Sequence, residues 1–297
     1  MKHISVLLNE TVDGLGIKAG DIILDGTLGG GGHTREIVRR FGSSVKVIGL
    51  DLDSDAMHRA KENLSGMDSD TVFKIAGFQD LGQVLKELDI PKVDRILLDL
   101  GISSFELDIG GRGFSFLRDE PLLMTMKKEP TDEDLTAMDI VNNWDEENIA
   151  DIIYGFGEEK YSRIIARAIV AARKEKKIET TFDLVKILDE CIGRRYKGQR
   201  IHPATRTFQA LRIATNSELT NLEKVIEQGF ELLSVGGRIA IISFHSLEDR
   251  IVKRAFVKLK EDSRATIVTK KPIIPTDEEI RENSRSRSAK LRVIEKL

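Results

Sequence analysis

The residues best suited to chemistry stand at the ends of short apolar runs. Asp25 closes IILD and is followed by GTLGGGGHT; Asp51 closes KVIGLD; Phe78 follows TVFKIA; Asp99 lies at the end of DRILLDL. The four consecutive glycines from Gly29 to Gly32 cost backbone entropy, so their use signals a ligand that the main chain must approach closely. A triphosphate loop requires G-x-x-x-x-G-K-[ST], whose lysine neutralises phosphate. Here His33 follows the glycines and the next lysine is Lys46, so that class is excluded. A dinucleotide fingerprint is nearer, since Gly29 and Gly31 fit its first two places, but Thr34 occupies the third, and the Asp25 carboxylate would repel a pyrophosphate. A cationic cofactor inverts that objection. S-adenosylmethionine carries a sulfonium and an ammonium, which carboxylates at the mouth of a site attract. Asp51 is placed to accept both ribose hydroxyls, and Phe78 to cover the adenine. Asp51 alone fits a helix cap and Phe78 alone fits a core; the set together favours the methyl donor, with an NAD-dependent dehydrogenase as the weaker alternative.

Those residues need a sheet behind them. The first hundred residues alternate strand and helix signals, which implies a parallel sheet: strands over DIILDG, KVIGLD, TVFKIA and DRILLDL, with helices over HTREIVRRF, SDAMHRAKENL and DLGQVLKELDI. All four candidate groups then fall at the carboxyl edge of the sheet, where ligands of open α/β sheets bind. From about Ser115 to Thr215 only helices are expected. Thr131 with Asp134 fits a capping box for TDEDLTAMDIVNN, Thr181 is the expected cap of FDLVKILDECIG, and Pro203 suits the first turn of HPATRTFQALRIA. The α/β pattern then returns: SELTNLEKVIEQGFELL is amphipathic and ended by SVGG, RIAIISF reads as a buried strand, SLEDRIVKRAFVKLK as a helix, and ATIVT with KLRVIEK as an antiparallel closing pair. The expected organisation is an α/β domain over 1–114 and 216–297 interrupted by a helical domain over 115–215.

The 297 residues, 40% hydrophobic and 32% charged, allow a large core and two domains. No apolar run approaches the ~20 residues of a membrane span. The start, MKHISVLLNETVDGL, is too short and polar for a secretory signal, and Glu10 and Asp13 argue against a transit peptide; a cytoplasmic location is the expectation. The single cysteine, Cys191, excludes internal disulfides and a cysteine metal cage, and reads as a small apolar helix residue. His3, His33, His58, His202 and His245 show no metal-ligand spacing, so no metal is expected. The net charge of −3 conceals a segregation. Between Lys186 and Arg212 seven basic residues face only Asp189 and Glu190, and Arg194, Arg195, Lys197, Arg200 and Arg206 are candidates for phosphate contacts. A solvated face is the ordinary reading of such a run. Phe114 and Phe116 are candidates for stacking on bases, although phenylalanines are more often core.

VLLNE (Val6 to Glu10), DGTLGGGGH, LDLGISS (Leu98 to Ser104), RGFSF (Arg112 to Phe116), HPATRTFQALRI (His202 to Ile213), GGRIAIISFHSLEDRIVK (Gly236 to Lys253) and SRSAKLR (Ser286 to Arg292) run nearly end to end in the order of the RsmH, or MraW, family, which the chain resembles. The resemblance implies a Rossmann-like methyltransferase sheet, mostly parallel with an antiparallel C-terminal strand, carrying an inserted all-helical substrate domain. It implies transfer of a methyl group from S-adenosyl-L-methionine to the exocyclic N4 of a cytosine in 16S ribosomal RNA, with that RNA or the small ribosomal subunit as partner. The family's cofactor positions fall on Gly31, Gly32, His33, Asp51, Phe78, Asp99 and Glu106. The chain departs from the family at Glu106, usually glutamine, at Phe105, usually proline, and at Leu123 and Lys127, usually aspartates. A cytosine amine is a poor nucleophile because its lone pair is delocalised into the ring. Asp99, Ser103 and Ser104 are the expected catalytic groups, holding the amine in line with the methyl and dispersing its developing positive charge. Asp99 fits equally a pure contact with the donor's ammonium, and Ser103 and Ser104 fit equally as turn residues. A cofactor-binding ribosome-assembly factor without catalysis is the other alternative; retention of Asp25, Asp51 and Asp99 argues against it.

Overall fold

Short runs of β-branched and aliphatic residues become strands, and the periodic segments between them fold back as helices. In the computed structural model, which describes residues 4–101, 111–128, 130–199 and 201–297, the first half of the sheet is built from β1 (Ile22–Asp25), β2 (Lys46–Asp51), β3 (Asp70–Ile75) and β4 (Val93–Asp99). Helix α1 (Leu8–Leu15) precedes them, and α2 (Gly32–Phe41), α3 (Ser54–Asn63) and α4 (Leu81–Glu87) connect them. Asp53 caps α3 by accepting from the Asp55 N–H at 2.9 Å, so the capping role that Asp51 also fitted belongs to its neighbour.

A helical segment follows, with α5 (Ala137–Asn143), α6 (Glu146–Gly157), α7 (Ser162–Glu175), α8 (Thr181–Ile192) and α9 (Ala204–Asn216). Helix α7 shows the logic: Ser162, Ile165, Ala166 and Ile169 are buried at helical spacing, meeting Ile140, Ile153, Leu188 and Leu211 in one core. The caps of α5 and α8 differ in register from the expected ones. Thr136 with Asp139 forms the capping box of α5, while Thr131 and Asp134 close a separate turn. Thr180, not Thr181, pairs with Asp183 at the start of α8. Pro203 is the N-cap of α9. Cys191 is half-buried, its thiol directed at the Leu188 carbonyl.

The chain then returns through α10 (Glu218–Leu232), β5 (Leu233–Ser243), α11 (Ser246–Glu261), β6 (Ala265–Ile267), α12 (Asp277–Glu282) and β7 (Lys290–Lys296). SVGG does not end α10 as a loop; it lies within β5 as an irregularity, since Val93 pairs with Leu233 but Arg95 with Arg238. The seven strands order as β3-β2-β1-β4-β5-β7-β6. β1 to β5 pair in parallel, and β7 pairs antiparallel with both β5 and β6. One face packs Leu24, Ile96 and Ile241 against Leu85, Phe230 and Phe256. The other packs Ile23, Leu97 and Ile242 against Leu15 and Ile37. This alternation along β1, β4 and β5 is the period-two signature of a sheet covered on both sides. Among the described residues, no helix is long and apolar enough to cross a membrane.

The chain divides into two compact units, one of Met1–Gly101 with Leu219–Leu297, the other Ile102–Glu218. The helical unit thus begins earlier than position 115. Phe114 is buried in its core, and the Met124 N–H donates to the Arg112 carbonyl at 2.7 Å.

Candidate active site

The sheet order decides where a ligand sits. From β1 the chain moves outward through β2 and β3, then crosses back to place β4 on the other side of β1. The crevice outside the carboxyl ends of β1 and β4 is therefore the topological switch point, the usual ligand position in such sheets. Asp25 ends β1 and Asp99 ends β4.

The glycine turn forms the floor. Gly31 is the N-cap of α2 with φ 74°, in the left-handed region that favours glycine, and a Cβ there would press on the Ala60 methyl at 3.0 Å. At Gly32 a Cβ would lie 1.9 Å from the Ser5 hydroxyl. The turn is tied to β2 by Asp51, whose carboxylate accepts from the Gly29 N–H at 2.7 Å and from the Asp53 N–H at 2.8 Å. The carboxylate thus stands at the carboxyl end of β2 beside the glycine turn, on the edge of the sheet where a ligand's hydroxyls would arrive. Phe78, half-buried in the short turn Phe78–Asp80 after β3, packs its inner side on the core.

Asp25 is buried at 1% exposure and is held by local hydrogen bonds. The Thr34 hydroxyl donates to its Oδ2 at 2.7 Å and the Thr27 N–H to its Oδ1 at 3.3 Å. Burial outweighs both bonds and pushes its carboxyl from 3.8 up to about 6. Thr34 thereby explains its place after the glycines: a glycine there would leave this buried carboxylate without its closest donor. The Asp99 backbone N–H donates to the Thr27 hydroxyl at 2.6 Å. Its carboxyl is pushed well above the ordinary value by burial first, then by the charges of Asp25 and Glu248. Its Oδ1 is buried and has no hydrogen-bond partner among the described residues, although the whole side chain keeps 24% exposure. A buried acceptor without a partner is costly, and a ligand N–H would satisfy it. His33, the second residue of α2, directs Nδ1 at Asp99 Oδ2 from 3.7 Å.

His245, a further ionisable group just beyond β5, is engaged structurally. Its Nδ1 accepts the Glu248 N–H at 3.3 Å and it completes the capping box of α11.

Of the expected residues, Gly31, Gly32, His33, Asp51, Phe78 and Asp99 line this edge of the sheet; Ser103, Ser104, Glu106 and Arg200 lie outside the described residues. In the helical unit, Arg194 and Lys197 are exposed. Arg195 leans over the Tyr161 ring at 5.4 Å, and Arg206 donates to the Glu158 carbonyl at the end of α6, 2.7 Å away. Phe114 is core, the commoner of the two readings of a phenylalanine, so it is not a base-stacking residue. Phe116 stacks on the His202 imidazole, centroids 4.8 Å apart. Lys127 is spent on an ion pair with Asp134.

A glycine turn over a buried carboxylate, with acidic groups closing β2 and β4 at the switch point, suits a cationic donor and would repel a pyrophosphate. That combination defines the class: a Rossmann-like, S-adenosylmethionine-dependent methyltransferase. The MraW methylase family matches residues 1–297, and the chain belongs to that family. It is 46% identical over 311 aligned residues to the ribosomal RNA small subunit methyltransferase H of Clostridium botulinum (strain Kyoto / Type A2), covering 100% of this chain and 99% of that protein. The same figures hold for the methyltransferase H of strain 657 / Type Ba4. A solved rRNA methylase from Streptococcus thermophilus shares 13% identity at a TM-score of 0.47, over 100% of this chain and 99% of that one.

Proposed function

We propose that the chain methylates the exocyclic N4 of a cytosine in small-subunit ribosomal RNA, as free RNA or within the subunit, in the cytoplasm. Family membership and the relatives' names support the substrate, and the observation that carries the chemistry is the unpartnered, buried Oδ1 of Asp99. Bound at the glycine turn, S-adenosylmethionine supplies an electrophilic methyl group on a sulfonium. Gly31 and Gly32 would admit its amino-acid portion, Asp51 its ribose, and Phe78 its adenine.

The protein's share of the reaction is positioning and proton management. Asp99 Oδ1 accepts an N–H of the amine, turning the nitrogen lone pair toward the methyl and stabilising the positive charge that develops there. Alignment of this kind supplies up to ~7–11 kcal/mol of barrier lowering. Ser103 and Ser104, in the segment after β4, are assigned to the same amine, and Arg194, Arg195, Lys197, Arg200 and Arg206 to the RNA backbone.

Incubation of the protein with labelled donor and small-subunit RNA, followed by nucleoside analysis, is expected to give N4-methylcytidine; label on another base or none would overturn the assignment. Asp99→Asn retains the shape but not the charge. It is expected to lower the single-turnover rate at saturating donor and RNA by about 10²-fold, the lower range for a lost acid–base group. A rate equal to wild type would leave Asp99 as a donor ligand only.

A further inference from the structure

The first described residues, Ile4 to Leu7, form a strap across the start of α2. The Leu7 N–H donates to Glu279 Oε1 on α12 at 2.8 Å, and the Asn283 side chain donates to the Ile4 carbonyl at 3.1 Å. Leu7 adopts φ 49°, a left-handed conformation that a leucine takes only when its surroundings impose it. Gly32 leaves the space that the Ser5 hydroxyl fills. The strap presents the Val6 carbonyl to His33 Nε2 at 3.1 Å. A carbonyl only accepts, so Nε2 carries hydrogen, and in a neutral imidazole Nδ1 would then be an acceptor. That Nδ1 faces the carboxylate Oδ2 of Asp99 at 3.7 Å. Two acceptors at that distance, in a buried place, repel unless a proton lies between them.

We propose that His33 is a positioning residue that carries a proton on Nδ1 toward Asp99, and that the strap from Ile4 to Leu7 enforces this state. The proposal rests on Asp99 as the group that receives the amine. Asp25 on β1 and Glu248 on α11 are the carboxylates facing Asp99, and both oppose its ionisation; His33 on α2 is the cationic counterpart. During transfer the new N–C bond forms as the C–S bond breaks, with its electron pair left on sulfur. One N–H proton passes from the methylated amine to Asp99 Oδ1 and then to solvent. His33 keeps its own proton throughout. A protonated Asp99 could not take up that proton, so activity falls as pH drops through its working pKa; burial, Asp25 and Glu248 raise that value, and the proton proposed on His33 opposes them.

The test is the pH dependence of single-turnover methyl transfer to small-subunit RNA at saturating donor. In His33→Asn the acid limb is expected to move to higher pH by at least about one pH unit, the effect of losing an opposite charge a few ångströms away. Glu279→Ala, which releases the strap without touching the site, is expected to move the limb in the same direction by a smaller amount. Glu279→Gln retains the acceptor for Leu7 and is expected to keep the wild-type limb. An unmoved limb in His33→Asn, whatever its rate, would overturn the inference and make His33 merely structural. An unmoved limb in Glu279→Ala would remove the strap from it. Asp99→Asn measured alongside separates the two readings: a wild-type rate there removes the role of Asp99 itself, whereas loss of rate there with a limb indifferent to His33 removes this inference alone.

Discussion

Asp25→Asn isolates the electrostatic cost of building the floor of the site. The carboxyl is 1% exposed and titrates at about 6 in the folded chain against 3.8 ordinarily, because burial outweighs the bonds from Thr34 and Thr27. Well below 3.8 it is protonated in both folded and unfolded states and contributes nothing to the difference. Between these values the unfolded chain has lost its proton while the folded chain retains it, so stability declines as pH rises. Above about 6 both are ionised, and the folded state bears the whole cost, about 3 kcal/mol from the difference between the two values. Asparagine has the same shape. Its Oδ1 keeps the Thr27 bond, and the Thr34 hydroxyl can rotate to accept from Nδ2. Neutral bonds are weaker than those to a carboxylate, so the expected gain at pH 8 is about 1–3 kcal/mol, shrinking steadily as pH falls toward 3.8. Denaturant unfolding of both proteins from pH 4 to pH 8 reads this directly. A gap that does not change with pH, or an asparagine variant less stable at pH 8, would refute the reasoning. The same substitution removes one of the charges opposing Asp99, so the acid limb of methyl transfer should move to lower pH.

Asp51→Ala removes the acceptor of two backbone N–H groups as well as the proposed ribose contact. It is expected to lower stability by about 1–3 kcal/mol and to weaken donor binding by calorimetry; unchanged affinity would rule out its placement. Gly32→Ala drives a methyl into the Ser5 hydroxyl, costing about 1–3 kcal/mol as overpacking, and Ser5→Ala in the same chain should recover most of it in a double-mutant cycle. Recovery absent from thermal melts would mean the strap does not lie where Gly32 admits it. Neutralising Arg194, Arg195 and Lys197 together should weaken RNA binding and flatten its salt dependence while donor affinity stays the same; an unaltered salt slope would reduce these charges to a solvated face.

The parts of this site legible in the sequence are those that local pattern determines. A four-residue apolar run ending in aspartate, followed by glycines and an amphipathic helix, specifies a strand, a turn and their order, and the parallel topology then carries Asp51, Phe78 and Asp99 to the same edge as Asp25. Local pattern also misleads where two registers satisfy it. Thr131 with Asp134 and Thr136 with Asp139 both have capping-box spacing, and the helix starts at the second because Ala137, Ile140 and Val141 supply the buried face. Thr180 has an aspartate three residues on and Thr181 does not, so the correct cap of α8 was available in the spacing. Phe114 and Phe116 share one local pattern, RGFSF, yet the first is buried in the core and the second stacks on His202.

What no local pattern contains is the charge state of the site. Asp25, Asp99 and Glu248 come from β1, β4 and α11, and their mutual repulsion arises only when the sheet order brings those elements together. The group opposing it, His33, is oriented by a backbone carbonyl of Val6, and a carbonyl leaves no mark in a sequence. Thr34 is the partial exception. It departs from a dinucleotide fingerprint, and the departure signals a carboxylate beneath the turn that needs a donor. Sequence therefore identifies the acids and the class of ligand they attract, while the number of protons they share follows from long-range contacts that only the folded chain makes.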